Sequence, residues 1–224
     1  MSVVKRKTVA KQLAAFTGLS AEFILRCNLQ IDDSEYRKEL LRDPQRRTVG
    51  RLDSRYVGMD RYATGATSDF DPAMKATSPV FVACFNDYIT RELQFTTTRR
   101  YYLLGGFPGF KWKYPENAFG DTSEMLREGI TSNPYMKVLV LNGYYDMATP
   151  YFATEYTFAH LDLEPELRDN ISMTYYEGGH MMYADVKCLS QMRSDIDIFY
   201  AKPPFARAVT NAVSYTHLTL PTKA

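Results

Sequence analysis

The sequence predicts an α/β fold, and three observations carry that prediction. Val138-Leu139-Val140-Leu141 is an apolar run of strand length with no polar alternation, the pattern of a parallel strand covered on both faces. Asn170–Glu177 is a second run rich in β-formers, separated from the first by a helical stretch that starts at Thr149-Pro150. Each run then passes into a glycine-containing turn that carries one ionisable side chain: Asp146 after Gly143, and His180 after Gly178-Gly179.

The bulk properties narrow the field. A chain of 224 residues is long enough to bury a core. Lys and Arg number 27 against 26 Asp and Glu, a formal net charge of +1. That balance gives no electrostatic case for nucleic acid or an anionic membrane surface, so neither is expected as a partner. No apolar run approaches the roughly 18 residues of a membrane span. The start, Met1 to Lys7, is basic but is not followed by an apolar stretch, so it does not read as a signal peptide. The compartment stays open. Three cysteines (Cys27, Cys84, Cys188) show no metal-ligand spacing and are read as buried thiols. One His with one Asp is too few ligands for a metal site.

Along the chain, Val9, Leu13 and Phe16 recur at helical spacing, and Thr17-Gly18 stops that helix. Ser20 caps a short helix over Ala21–Cys27. Asp32-Asp33-Ser34 starts another over Glu35–Arg42, with Tyr36, Leu40 and Leu41 on one side. Arg47–Leu52 and Arg55–Val57 read as two short strands. Asp71-Pro72 pairs an N-cap with a proline at the first helical position. A longer helix is expected from Ser78-Pro79, with Phe81, Phe85, Tyr88, Ile89 and Leu93 forming a core-facing stripe. Arg99–Leu104 reads as a strand, and Gly105 to Gly120 as an aromatic loop holding the only tryptophan, Trp112.

From Asp121 the texture changes. Asp121-Thr122-Ser123-Glu124 opens a helix with capping-box chemistry, and Gly129 is expected to end it. The strand over Lys137–Asn142, the helix to about Leu161, the strand over Asn170–Glu177 and a last helix over Ala184–Tyr200 follow. Two βα units joined in this way imply a right-handed parallel crossover. Beyond Pro203-Pro204, Ala206–Ala224 carries no acidic residue and no usable periodicity. It reads as a tail outside the domain, with the texture of a translated cloning artefact, and His217 in it is given no role.

Asp146 and His180 sit where ligands collect in open α/β sheets, past the carboxyl ends of the strands. A serine hydrolase needs a histidine to take the nucleophile's proton and return it to the leaving group. It also needs a carboxylate to hold the ring's tautomer. The order acid, then histidine, matches the closing half of a Ser-Asp-His hydrolase. Taken alone, Asp146 reads as a helix cap and His180 as a loop histidine; strands, glycines and chain order together favour the pair. Asn142, Thr149 and His160 are read as structural. Glu177 has two readings, a bond within the site or a solvated strand-end carboxylate. No Gly-x-Ser-x-Gly occurs in the chain. Ser20 is a helix cap, Ser68 lies in a polar loop and Ser78 precedes a proline, so no serine here is a substitute nucleophile.

The two blocks resemble the serine carboxypeptidase family, including its bacterial carboxypeptidase-related members. The family's acid motif reads roughly Gly-Asp-x-Asp. Gly143-Tyr144-Tyr145-Asp146 matches it at the glycine and the triad acid, with Tyr144 in place of the first acid. The histidine motif reads roughly Gly-x-Gly-His-Met, and Gly179-His180-Met181 matches its core. Thr17-Gly18-Leu19-Ser20 and the segment from Arg47 to Asp53 are also similar to the bacterial branch, so the likeness spans roughly residues 9 to 202.

That resemblance implies the C-terminal part of an α/β-hydrolase fold with a mainly helical cap insertion. Residues 1–120 would be the cap, 121–203 the closing βαβα of the sheet, and 204–224 the non-domain tail. It implies Asp146 and His180 as catalytic residues and Met181 as part of the pocket for the departing residue. It further implies a peptide or small acyl substrate, no metal or organic cofactor, and removal of single residues from peptide C-termini. Family members are usually exported or secretory. The nucleophile turn, the oxyanion-hole amides and the groups that grip the substrate carboxylate are expected upstream of Met1, which makes this chain a fragment expected to be inactive alone. Two alternatives stand: an acyltransferase or esterase of the same fold, and a non-catalytic interaction module in which Asp146 and His180 merely brace loops. A wide separation of the two side chains favours the module.

Overall fold

The structure, a computed structural model, describes residues 1–104 and 120–203. The aromatic loop with Trp112 and the tail from residue 204 therefore lie outside the described residues. The described residues form eight helices and four short strands in two two-stranded sheets, a mixed α/β arrangement that is mostly helical.

The N-terminal part is a helical cluster. Helix α1 (Val3–Thr17) starts at Ser2, whose hydroxyl accepts from the Lys5 amide. It ends at Gly18, where φ of +75° lets the amide turn back to the Ala14 carbonyl at 3.0 Å. Helix α2 (Ala21–Arg26) is capped by Ser20. Helix α3 (Asp33–Glu39) carries a full capping box between Asp32 and Glu35. Ala10, Leu19 and Ile24 are buried at the centre, with Leu13, Tyr36 and Leu40 packed around them. Two expected core residues are displaced: Phe16 is 86% exposed and Leu41 faces solvent. The α1–α2 contact is made by the Ala10–Leu13 side, and Phe16 lies off that face.

Strands β1 (Arg47–Val49) and β2 (Val57–Met59) pair antiparallel, Arg47 opposite Met59 and Val49 opposite Val57. Beside them, Lys38 Nζ contacts Asp60 Oδ2 at 2.6 Å and the Tyr62 carbonyl at 2.7 Å. Both charged side chains are almost wholly buried. The pair tolerates burial because the other Asp60 oxygen accepts from the Asp69 amide.

Helix α4 (Pro72–Arg91) is a single helix where the sequence predicts two starts. Asp71 caps it through the Ala73 and Met74 amides, and the helix continues through Pro79. Proline at that point costs its own backbone bond and a steric clash, which the first turn's cap and the long helix beyond it together outweigh. The expected core stripe is mostly on the surface. Only Ile89 is buried, while Phe85, Tyr88 and Leu93 are exposed, Phe85 stacking on Tyr101 at 3.9 Å. Arg99–Leu104 is turn and coil, not a strand.

Helix α5 (Ser123–Ser132) makes no side-chain cap at Thr122; the Asp121 carboxylate accepts from the Ser123 amide instead. It runs past Gly129, whose carbonyl takes a hydrogen bond from the Asn133 side chain. Strands β3 (Val138–Gly143) and β4 (Ile171–Tyr176) are parallel, Val138 opposite Ile171 and Gly143 opposite Tyr176. Helices α6 (Tyr151–Ala159) and α7 (Pro165–Arg168) connect them, and α8 (Val186–Ala201) follows β4.

Ile130, Leu161 and Leu163 form one cluster against Val138 and Ile171. Tyr176, Met182 and Cys188 form another with Leu141. The apolar residues of β3 are half-buried, since only one strand neighbours it among the described residues. Of the three thiols, Cys188 is buried, Cys27 half-buried and Cys84 exposed, so only Cys188 matches the buried reading. Cys84, Phe85 and Asp87 are all exposed on α4. No described helix is long and apolar enough to cross a membrane.

Candidate active site

The parallel register places the two predicted residues at one sheet edge. Gly143 and Tyr176 are opposite one another at the ends of β3 and β4, and Asp146 and His180 follow three and four residues later. The chain is pinned there by the Tyr144 amide donating to the Tyr176 carbonyl and the Tyr145 amide to the Gly178 carbonyl, both at 3.0 Å.

The outcome is a contact. His180 Nδ1 lies 2.8 Å from Asp146 Oδ2. The Asp146 side chain is 5% exposed and that of His180 44%. Asp146 is held by four donors: the Ala148 amide at 2.7 Å, the Thr149 amide at 3.0 Å, the Thr149 hydroxyl at 2.5 Å and the imidazole. Burial pushes its carboxyl up, but the Thr149 hydroxyl, the Thr149 amide, His180 and the Ala148 amide outweigh that and hold it below the usual carboxylate value. An ionised carboxylate only accepts, so Nδ1 carries the proton. Nε2 is then the free lone pair, and it makes no hydrogen bond with a described residue.

Thr149 belongs to this site, and the sequence reading misses it. Its hydroxyl donates to Asp146 Oδ2 and lies 3.3 Å from His180 Nδ1, so it accepts a share of the same imidazole proton. The available signal is the spacing: a hydroxyl three residues after an acid is placed to bond back to it, as in an Asx or cap motif. Asn142 is structural, buried and bonded to the Thr174 carbonyl. His160 caps α6 and bonds to the Tyr156 carbonyl, away from the edge. Glu177 does not reach His180; it accepts from the Tyr145 hydroxyl at 2.7 Å.

The three glycines at this edge are not there for left-handed backbone. None of Gly143, Gly178 and Gly179 has a positive φ. They supply space. A Cβ on Gly143 would collide with the Gly179 carbonyl, and one on Gly179 with the Leu52 carbonyl and, at 2.5 Å, with Asp53 Cβ. Three backbone segments meet there, and the third is residues 51–55, which sequence reading assigns only to a strand and a likeness. The His180 amide donates to the Leu52 carbonyl at 2.6 Å, the Met147 amide to Arg51 at 3.0 Å, and the Ser54 amide to Tyr145 at 2.9 Å.

Met181 lines a cavity of about 120 Å³ beside the histidine turn, together with Leu52, Asp53, Arg55, Ala73 and Met182. Among the described residues no three His, Cys, Asp or Glu side chains converge as metal ligands. Compared with protein-family models, with curated proteins and with solved structures, the chain matches none.

The end of β4 supports the edge through two high-pKa phenols. A hydrogen bond to Glu155 pushes Tyr175 up to about 12, and burial with the Asp195 hydrogen bond, against a bond with Thr174, pushes Tyr176 up to about 12. A phenol raised in the folded state favours the protonated form. Its stabilisation is fully present below the ordinary value near 10 and is lost as pH rises through about 12. Urea midpoints are therefore expected to fall between pH 10 and 12, and Tyr176→Phe to flatten that fall; an unchanged slope in the variant refutes the assignment.

Proposed function

We propose that this chain supplies the acid and the general base of a serine-type carboxypeptidase, as the C-terminal part of an α/β-hydrolase fold with a mainly helical cap. The observation that carries the reading is the 2.8 Å contact between a buried, ionised Asp146 and a half-exposed His180 past the carboxyl ends of two parallel strands. The same contact weighs against the interaction module, which calls for a wide separation.

In this reading His180 Nε2 takes the proton of a serine hydroxyl as its oxygen attacks the scissile carbonyl. The imidazolium that forms is stabilised by Asp146 through Nδ1–H. His180 then gives the proton to the leaving amine, leaving an acyl-enzyme, and repeats both steps with water. Asp146 stays ionised throughout, which is the state its four donors favour. Met181 and its cavity would receive the departing C-terminal residue, with no metal or organic cofactor in the scheme. The serine and oxyanion-hole donors come from a segment outside this chain.

The test has two arms. The purified 224-residue chain is expected to show no hydrolysis of a blocked dipeptide. A product extended upstream in frame, carrying a Gly-Glu-Ser-x-Gly turn, is expected to release C-terminal residues, and His180→Ala to abolish that release. Activity of the unextended chain that His180→Ala removes, or an upstream frame without such a turn, overturns the reading.

A further inference from the structure

The Arg55 side chain touches all three segments meeting at the site. Its Nε and Nη2 grip both oxygens of Asp53, at 3.0 and 2.7 Å, within its own segment. Its Nη1 donates to the Glu177 carbonyl at 2.8 Å, three residues before His180. Its guanidinium carbon lies 4.8 Å from the ring centroid of Tyr145, the residue before Asp146. The Tyr145 hydroxyl in turn donates to the Glu177 carboxylate at 2.7 Å, which closes the circuit between the two turns. A guanidinium makes a two-pronged carboxylate grip, a carbonyl bond and a flat aromatic contact at once; an ammonium has neither the plane nor the fork for that.

We propose that Arg55 is a positioning residue that holds the Asp146 turn against the His180 turn and so sets the hydrogen bond between them. It touches no reacting atom. The proposal rests on the reading of Asp146 and His180 as a working acid–base pair, and it adds a residue from the N-terminal half to that pair. Asp53, at 9% exposure, aims the guanidinium, and the backbone bonds of residues 51, 52 and 54 bring its segment to the edge.

The experiment reads the pair rather than turnover, so absence of peptidase activity does not decide it. In the full chain, the His180 Nδ1 proton is followed by NMR through its chemical shift and its exchange with water. Arg55→Lys and Arg55→Met are expected to speed that exchange by about tenfold or more, the scale of one charge-assisted hydrogen bond. Circular dichroism is expected to retain the wild-type helix content. Tyr145→Leu, which leaves the charge and the backbone intact, is expected to move the same signal in the same direction, and serves if the Arg55 variants fail to fold. An Nδ1 signal and exchange rate unchanged in folded Arg55→Met, or unchanged in Tyr145→Leu, overturns the proposal.

Discussion

Gly179→Ala is expected to cost more than about 3 kcal/mol of unfolding free energy and to separate Asp146 from His180. The reason is the crowd around that position. An added Cβ would meet the Leu52 carbonyl oxygen and Asp53, both at main-chain depth, where no flexible side-chain end can swing aside. Relief requires the 51–55 segment to retreat, which breaks the 2.6 Å bond from the His180 amide to Leu52. Gly65, in contrast, has nothing closer than 4.0 Å to its hypothetical Cβ. Its φ of +96° makes alanine strained there, with a cost of about 1 kcal/mol. Urea denaturation of both variants separates crowding from strain: equal losses would show that the three-segment contact is not as tight as described.

Asp146→Ala is expected to destabilise by about 3–5 kcal/mol, because it removes the acceptor of four donors in a nearly water-free position. The effect has a defined pH course. A carboxylate held below its ordinary value contributes stability that is fully present above about pH 4, and that fades as pH falls through the lower folded value. The gap between wild type and variant in urea midpoint should therefore be widest near neutrality and narrow in acid. A gap that grows on acidification would mean that Asp146 is not held ionised by its neighbours. Asp146→Asn keeps the shape but places an amide among donors, and is expected to fall between the two.

Much of the site was legible because it is local. Strand, glycine, acid and strand, glycine, histidine are short-range patterns, and a parallel register turns two such patterns into one edge. Caps at Ser20, Asp32 and Asp71 were legible for the same reason: the side chain bonds two or three residues away. What could not be read lies at long range. The α4 stripe obeys helical periodicity as well as any core face, yet periodicity reports which residues share a side, and not what stands opposite. Phe85 and Leu93 share a side that little else covers. The two starts at Asp71 and Ser78 fused because a proline within a helix resembles a helix beginning in local pattern. The 51–55 segment was invisible as a site element, since its bonds to the two turns cross long stretches of chain and leave no local pattern.

That segment carries a consequence for cooperativity. Arg55 and Glu177 are 122 residues apart in sequence. Closing a flexible loop of such length costs on the order of 4 kcal/mol of chain entropy. Each net hydrogen bond returns only about 1 kcal/mol. The four that tie residues 51, 52, 54 and 55 to the two turns therefore roughly match the closure cost only when all are made. The latch has no stable half-fastened form, and the imidazole and carboxylate meet as partners only in a chain whose distant halves have already joined.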